Sequence, residues 1–354
     1  TIAFILKDAG VGYVLCDALR RGDLPSDVAI SDFDAADGDG FEAHLDPGGF
    51  EAVRPTDDEV AMVLYTSGST GRPKGVPLTH AGHLWVLRVR TRRGWPFTHH
   101  RLLVAAPLYH MNALCTSLFA LGASACEILL PEFDARRWLL SIERFGCTWV
   151  TSVPAMLAMA LREEEVLSGL DVSTVENVRM GSAPVSQKLW DKGKAIFPGT
   201  NFINVYGTTE TGPIVFGPRP DRVVPDLSVG WPMPEVELKL VGADGSEGDE
   251  GVLWQRTPAT MTEYLNLPER TQEVLTADGW YISGDIFRRD AAGAYFFVGR
   301  ADDMFVCGGE NIYPSEVEAI LESHPDIAQA CVVPVPDEIK GEKPVAFVVR
   351  NDGA

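Results

Sequence analysis

The densest chemical signal is the segment Tyr65-Thr66-Ser67-Gly68-Ser69-Thr70-Gly71-Arg72-Pro73-Lys74-Gly75-Val76. Its glycines let backbone N–H groups converge on a ligand, its hydroxyls add donors, and Lys74 adds a mobile positive charge, a set that suits a polyphosphate. It departs from a Walker A loop, because Lys74 is followed by Gly75 and not by Ser or Thr. A Ser/Gly/Thr linker has the same composition; the apolar run before it and the embedded lysine favour phosphate. A second segment, Asn204-Val205-Tyr206-Gly207-Thr208-Thr209-Glu210-Thr211-Gly212, holds an aromatic that could stack on a base and a carboxylate that could hold magnesium. Read alone, it also fits a strand-terminating turn. Asp285, in Tyr281-Ile282-Ser283-Gly284-Asp285, is a natural partner for vicinal ribose hydroxyls. Arg300, in Gly299-Arg300-Ala301-Asp302-Asp303, is a lone guanidinium, and both residues are expected at turns after aromatic-rich segments.

Short branched-apolar runs must carry these loops. Val11 to Leu15, Val60 to Thr66, Leu102 to Ala106, Ala125 to Leu130, Thr148 to Val153, Val178 to Met180 and Phe202 to Tyr206 read as strands. Asp134 to Phe145 and Gln187 to Phe197 read as amphipathic helices between them, which implies an α/β fold with a mostly parallel, helix-covered sheet. After Gly207, shorter strands at Glu235 to Val241, Gly251 to Thr257 and Ala294 to Gly299 predict a small β subdomain at about 213–299. Beyond Arg300, a capping box at Ser315 to Glu318 and a strand at Gln329 to Val335 predict a small α+β unit.

The 354 residues predict two or three domains at roughly 150 residues each. A formal net charge of −20 excludes an electrostatic footprint for nucleic acid or an anionic membrane. The uncharged stretch Leu102 to Cys126 is broken by Pro107, Tyr109, His110 and Asn112, so it reads as a buried strand and helix and not as an integral membrane segment. Six cysteines without a Cys-x-x-Cys pair argue against a zinc ribbon or a disulfide framework. No glycosylation sequon or secretory segment is present, and the expectation is a cytoplasmic protein. The absence of Gly-x-Gly-x-x-Gly after the first strand sets aside a Rossmann dehydrogenase.

Taken together and in this order, the segments resemble the acyl-adenylate-forming (AMP-binding) superfamily, in its acyl- and aryl-CoA ligase branch, over essentially the whole chain. The resemblance implies ATP-dependent activation of a small carboxylic acid as its adenylate, then thioester formation with coenzyme A, with Mg²⁺ as the metal. Thr66 to Lys74 would close on the ATP phosphates, and Gly181-Ser182-Ala183-Pro184 would line the adenine and acyl sites. Asn204, Gly207 and Thr208 would belong to the nucleotide site. Tyr206 would stack on adenine, Thr209 would contact the α-phosphate, Glu210 would hold Mg²⁺, and Asp285 with Arg300 would bind the ribose. Asp302 would be a hinge and Gly308-Gly309 would border the pantetheine tunnel. The implied domains are 1–300, a hinge at 301–303, and part of a carboxy-terminal domain at 304–354. The family's catalytic lysine would lie past Ala354 and the family's amino-terminal start before Thr1, so the chain is expected to be a fragment that binds acyl-adenylate and turns over slowly alone.

Pro107 to Leu114 resembles the segment beside the acyl pocket, with His110 as a gate and Met111 and Gly181 as neighbours; a satisfied core histidine and a packing methionine fit the same residues. No Asp occurs from Pro107 to Gly122 to pair with an ammonium, which disfavours an α-amino acid. Trp149, Met156, Met180 and Phe216 as walls would suit an apolar or aromatic acid of modest size. Two alternatives stay open: a ligase that loads a carrier-protein pantetheine, and a catalytically weak adenylate-binding module.

Overall fold

Five of the apolar runs pair in parallel, in the order Cys126–Leu129, Arg101–Val104, Trp149–Ser152, Asn177–Gly181 and Asn201–Val205. Every residue of Trp149–Ser152 and Asn177–Gly181 is buried, the pattern of strands covered on both faces. Alternate side chains therefore serve two different layers. Leu103, Val150, Val178 and Met180 pack on Trp138, Leu139, Ile142 and Leu157 in the principal core. On the opposite face Leu102 and Trp149 meet Phe97, Phe119 and Ala120. Helix Ala135–Phe145 starts where the Asp134 side chain accepts from Arg137 N at 2.7 Å, and it stops at Gly146 in the left-handed region. The uncharged stretch is strand Arg101–Val104 followed by helix Met111–Gly122, and among the described residues no helix is long and apolar enough to cross a membrane.

This computed structural model describes residues 1–354 except 37, 39, 47, 67–71, 92–96, 308–309, 338–339 and 352–354. Strand Val60–Thr66 turns back antiparallel into Lys74–Thr79, with Thr66 opposite Lys74 in register. A four-stranded antiparallel sheet follows: Glu237–Val241, Glu250–Arg256, Tyr281–Arg289 and Tyr295–Arg300. A second one is ordered Glu310–Ile312, Phe305–Cys307, Gly341–Arg350, Ile327–Asp337, and helix Pro314–Glu322 packs beside it.

Two local expectations are corrected. Asp285 and Arg300 lie within strands, where they are cross-strand partners, because the aromatic run continues through them as one antiparallel ladder. The capping box does not form: the helix begins after Tyr313, Ser315 Oγ donates to Val298 O, and Glu318 Oε1 accepts from Val332 N. Both side chains tie the helix to neighbouring strands instead of to its own first turn.

The packing gives a direct stability test. Trp138 is fully buried in the principal core, so Trp138→Ala should cost about 3–5 kcal/mol by urea unfolding. Leu19→Ala, at a position 81% exposed, should change stability by less than about 0.5 kcal/mol.

Candidate active site

A cavity of about 400 Å³ opens beside the ends of three sheets. The hairpin contributes Thr66 and Lys74, the segment after the last parallel strand contributes Thr208 and Glu210, and the antiparallel sheet contributes Ser283, Gly284 and Arg300. Thr66 Oγ1 is buried without a hydrogen-bond partner among the described residues. Lys74 Nζ donates to the Tyr264 hydroxyl at 3.3 Å and lies 4.4 Å from its ring centroid. That hydroxyl donates in turn to Glu210 Oε1 at 2.7 Å, and Glu210 is buried. Burial lowers the Lys74 pKa most, Glu210 pulls it back up, and Arg270 and Arg300 add to the lowering. The glycine after the lysine has a geometric role here. A Cβ on Gly75 would stand 3.1 Å from Leu265 Cβ and from Tyr65 Cζ, while Leu265 N donates to Gly75 O at 2.8 Å. Glycine lets the Tyr264–Leu265 segment press on the hairpin, and so Tyr264 reaches Lys74.

Beside this chain of bonds stands a second one. Arg300 Nη1 donates to Asp285 Oδ1 at 3.0 Å, and the Tyr206 hydroxyl donates to Asp285 Oδ2. Arg300 also forks onto Asp302 through Nε at 2.9 Å and Nη2 at 3.2 Å. Burial raises the Asp285 pKa, against the lowering effect of the bonds from Tyr206 and Arg300. Asp302 is held below the usual carboxylate range, chiefly by its bonds with Arg300. The Tyr206 ring meets Phe287 edge-on at 4.7 Å, so its position is fixed by the sheet that carries Asp285.

The remaining sequence candidates divide. Thr208 Oγ1 pairs with Thr211 Oγ1 at 2.8 Å and accepts from Thr211 N, which shapes the loop, while the Thr209 hydroxyl has no partner among the described residues. Gly181 permits close strand pairing, since a Cβ there would lie 2.4 Å from Val205 Cγ2; Ser182 follows in the left-handed region, its Oγ accepting from Asn112 Nδ2 at 3.2 Å. Ser182 and Ala183 are exposed at the strand end. His110 is exposed at the start of helix Met111–Gly122, with its ring 4.5 Å from that of Tyr109. Asn204 Nδ2 donates to Leu227 O at 2.7 Å, which supports a turn. Met111, in the first turn of its helix, packs against two apolar clusters and lines a small cavity with His83, Val86 and Gly212. Met156 and Met180 lie in the principal core: strand alternation sends Met180 to the face away from Trp149, and Met156 packs there from helix Pro154–Ala160. Trp149 and Phe216 line a separate cavity of about 60 Å³. Ser67, Gly68, Ser69, Thr70, Gly71, Gly308 and Gly309 lie outside the described residues. The sequence reading missed Tyr264 and Arg270; their segment carries no local pattern, and only the fold brings it to Glu210 and Lys74.

Comparison with known proteins follows the same geometry. The family model described as "AMP-binding enzyme" matches residues 1–265, and "AMP-binding enzyme C-terminal domain" matches 316–354. The chain is 36% identical over 309 residues to the fatty acid–[acyl-carrier-protein] ligase ScoC of Streptomyces coeruleorubidus, covering 84% of this chain and 59% of that protein. It is 36% identical over 305 residues to a feruloyl-CoA synthase of an Amycolatopsis species, covering 84% and 61%. The chain therefore spans about three fifths of the length of these curated relatives. The crystal structure of ATP-bound MatB from Rhodopseudomonas palustris superposes with a TM-score of 0.87 at 27% identity, over 100% of this chain and 72% of that one.

Removing the hydroxyl that links Lys74 to Glu210 tests the site's internal wiring. Tyr264→Phe should cost about 1–3 kcal/mol at neutral pH, because it strips a buried carboxylate of a donor. Thr209→Ala should cost less than about 0.5 kcal/mol. Urea unfolding of both variants checks this.

Proposed function

The chain belongs to the family of AMP-binding enzymes, and from that premise we propose that it is the part of an acid–thiol ligase that holds ATP and forms an acyl-adenylate. The observation that carries the reading is the convergence of Thr66, Lys74, Glu210 and Arg300 on one cavity, in a protein of net charge −20. An acidic chain that gathers Lys74, Arg270 and Arg300 around an orphaned buried hydroxyl is built for a polyanion. Thr66 and Lys74 would hold the phosphates. Tyr206, Asp285 and Arg300 form the neighbouring group for the nucleoside, in which Asp285 offers acceptors to ribose hydroxyls. Glu210, with one oxygen bound by Tyr264, would hold Mg²⁺, which when bound neutralises phosphate charge.

The proposed chemistry follows from the carboxylate's poor leaving group. One carboxylate oxygen attacks the α-phosphorus of ATP, the bond to the bridging oxygen breaks, and pyrophosphate leaves. A thiol then adds to the carbonyl and displaces AMP. What the protein contributes is position and fixed positive charge: Lys74 at the hairpin mouth, and Arg300 oriented by two carboxylates so that its guanidinium cannot rotate away. Coenzyme A as acceptor is supported by the similarity to the feruloyl-CoA synthase. A carrier-protein thiol is the second reading, supported by the similarity to ScoC. The hinge role of Asp302 is supported by its place in the turn after strand Tyr295–Arg300, where Arg300 grips it.

Non-hydrolysable acyl-sulfamoyl adenosines should raise the melting temperature of this chain by mass action. Asp285→Ala and Arg300→Ala should each weaken that binding by about 1–3 kcal/mol in calorimetry. Unchanged affinity would remove the two residues from the site.

A further inference from the structure

Two arginines, one on the strand that ends in Gly181 and one on the helix beside it, have no anionic partner among the described residues. Arg179 is 5% exposed, and its Nε and Nη1 are buried with no hydrogen-bond partner among the described residues. Arg90, at the end of helix His80–Thr91, sits with its guanidinium 4.9 Å from the Phe119 ring centroid and 5.8 Å from that of Trp149. Neither forms an ion pair with a described residue, although the chain has 50 acidic side chains to choose from. The stretch 92–96 beside Arg90 contains no Asp or Glu. Burial pushes the Arg90 pKa down to about 9, and Arg179 is the next cause, which places the two cations within reach of each other. Cys115, buried on helix Met111–Gly122, feels both of them. Trp149 adds a further buried N–H without a partner.

The register shows where these donors point. Arg179 and Gly181 share one face of their strand, two residues or roughly 6–7 Å apart. Thr151 lies opposite Arg179, and Trp149, on that same face, lines the cavity of about 60 Å³ together with Arg90, Phe216 and Met233. On the acyl-adenylate reading the acyl group lies by Gly181, and from there the same strand face runs through Arg179 toward Trp149 and Arg90. This face therefore combines apolar and aromatic side chains with the unpaired donors of Arg179 and Trp149 and the guanidinium of Arg90. An uncompensated buried cation is costly, and an anion docking from outside would relieve that cost.

We propose that Arg179 and Arg90 form a subsite for a second anionic group on the acid, so that the preferred substrate is a short dicarboxylic acid whose far carboxylate docks between them. This rests on the acyl-adenylate reading above, and it replaces the expected purely apolar acid with one that is anionic at both ends. The site assigns the two carboxylates by field: the reacting one stays at the rim near Gly181, and the far one is drawn to the buried guanidiniums.

Calorimetric titration of the whole chain with matched pairs of acyl-sulfamoyl adenosines tests this. The pairs have acyl chains of three to six carbons, ending either in carboxylate or in methyl. At one chain length the carboxylate-ended compound should bind at least tenfold tighter than its methyl partner. R179M and R90M should each reduce that ratio at least tenfold while still melting cooperatively. Equal or tighter binding of the methyl series at every length in the unaltered chain overturns the proposal, without need of any variant. So does an R179M protein that keeps the carboxylate preference. Acyl-free adenosine 5′-sulfamate separates the two readings: if it binds while no carboxylate-ended compound gains, only the second-anion subsite falls. If it does not bind, the adenylate reading falls and takes the subsite with it.

Discussion

The arrangement depends on one shared carboxylate. Asp285 accepts from Tyr206, at the end of the parallel sheet, and from Arg300, on the neighbouring antiparallel strand. Beside it the ring of Tyr206 meets Phe287 by apolar contact, which is non-directional and tolerates sliding. Hydrogen bonds to a buried carboxylate tolerate much less. Because Arg300 also grips Asp302, the same side chain carries that positional information into the turn that leads to the last sheet. Three structural units thus share a few polar contacts, and the cavity lies where they meet.

Lys74 and Glu210 show the same logic on the other wall. Their charges are opposite, yet they meet through the Tyr264 hydroxyl and not as a direct ion pair. A direct pair would neutralise the lysine; a hydroxyl between them keeps part of its positive field available while giving the buried carboxylate a donor. Arg270 and Arg300 strengthen that field from two further directions. The result is a local cationic hollow in an acidic protein, a contrast that the net charge alone conceals.

Much of this was legible in the chain before any coordinates. Strand Val60–Thr66 and the five parallel strands follow from branched apolar runs, which in the parallel sheet hold few polar residues to blur the pattern, whereas strand Lys74–Thr79 was not read from the sequence. Thr66, Lys74, Glu210, Asp285 and Arg300 were all found as candidates, and the fold brings them to one region. What the sequence hid has physical causes. Asn204 and Thr208 carry the same functional groups whether they bind a ligand or brace a turn, and here they brace the backbone. Tyr264 is 190 residues from Lys74, so no spacing rule connects them. Met180 and Arg179 are neighbours in sequence but face opposite layers, and only register separates a core methionine from an arginine under the pocket.

That alternation bears on how such a protein can change over generations. Along Trp149–Ser152 and Asn177–Gly181, the odd-numbered side chains face the pocket layer and the even-numbered ones the principal core. On the proposed reading, Thr151 and Arg179 can change on the side of the acid with the packing of Val150, Val178 and Met180 left in place. If the acid lies on that face as proposed, inheritance of the scaffold and drift of its chemical taste fall on separate sets of codons within the same two strands.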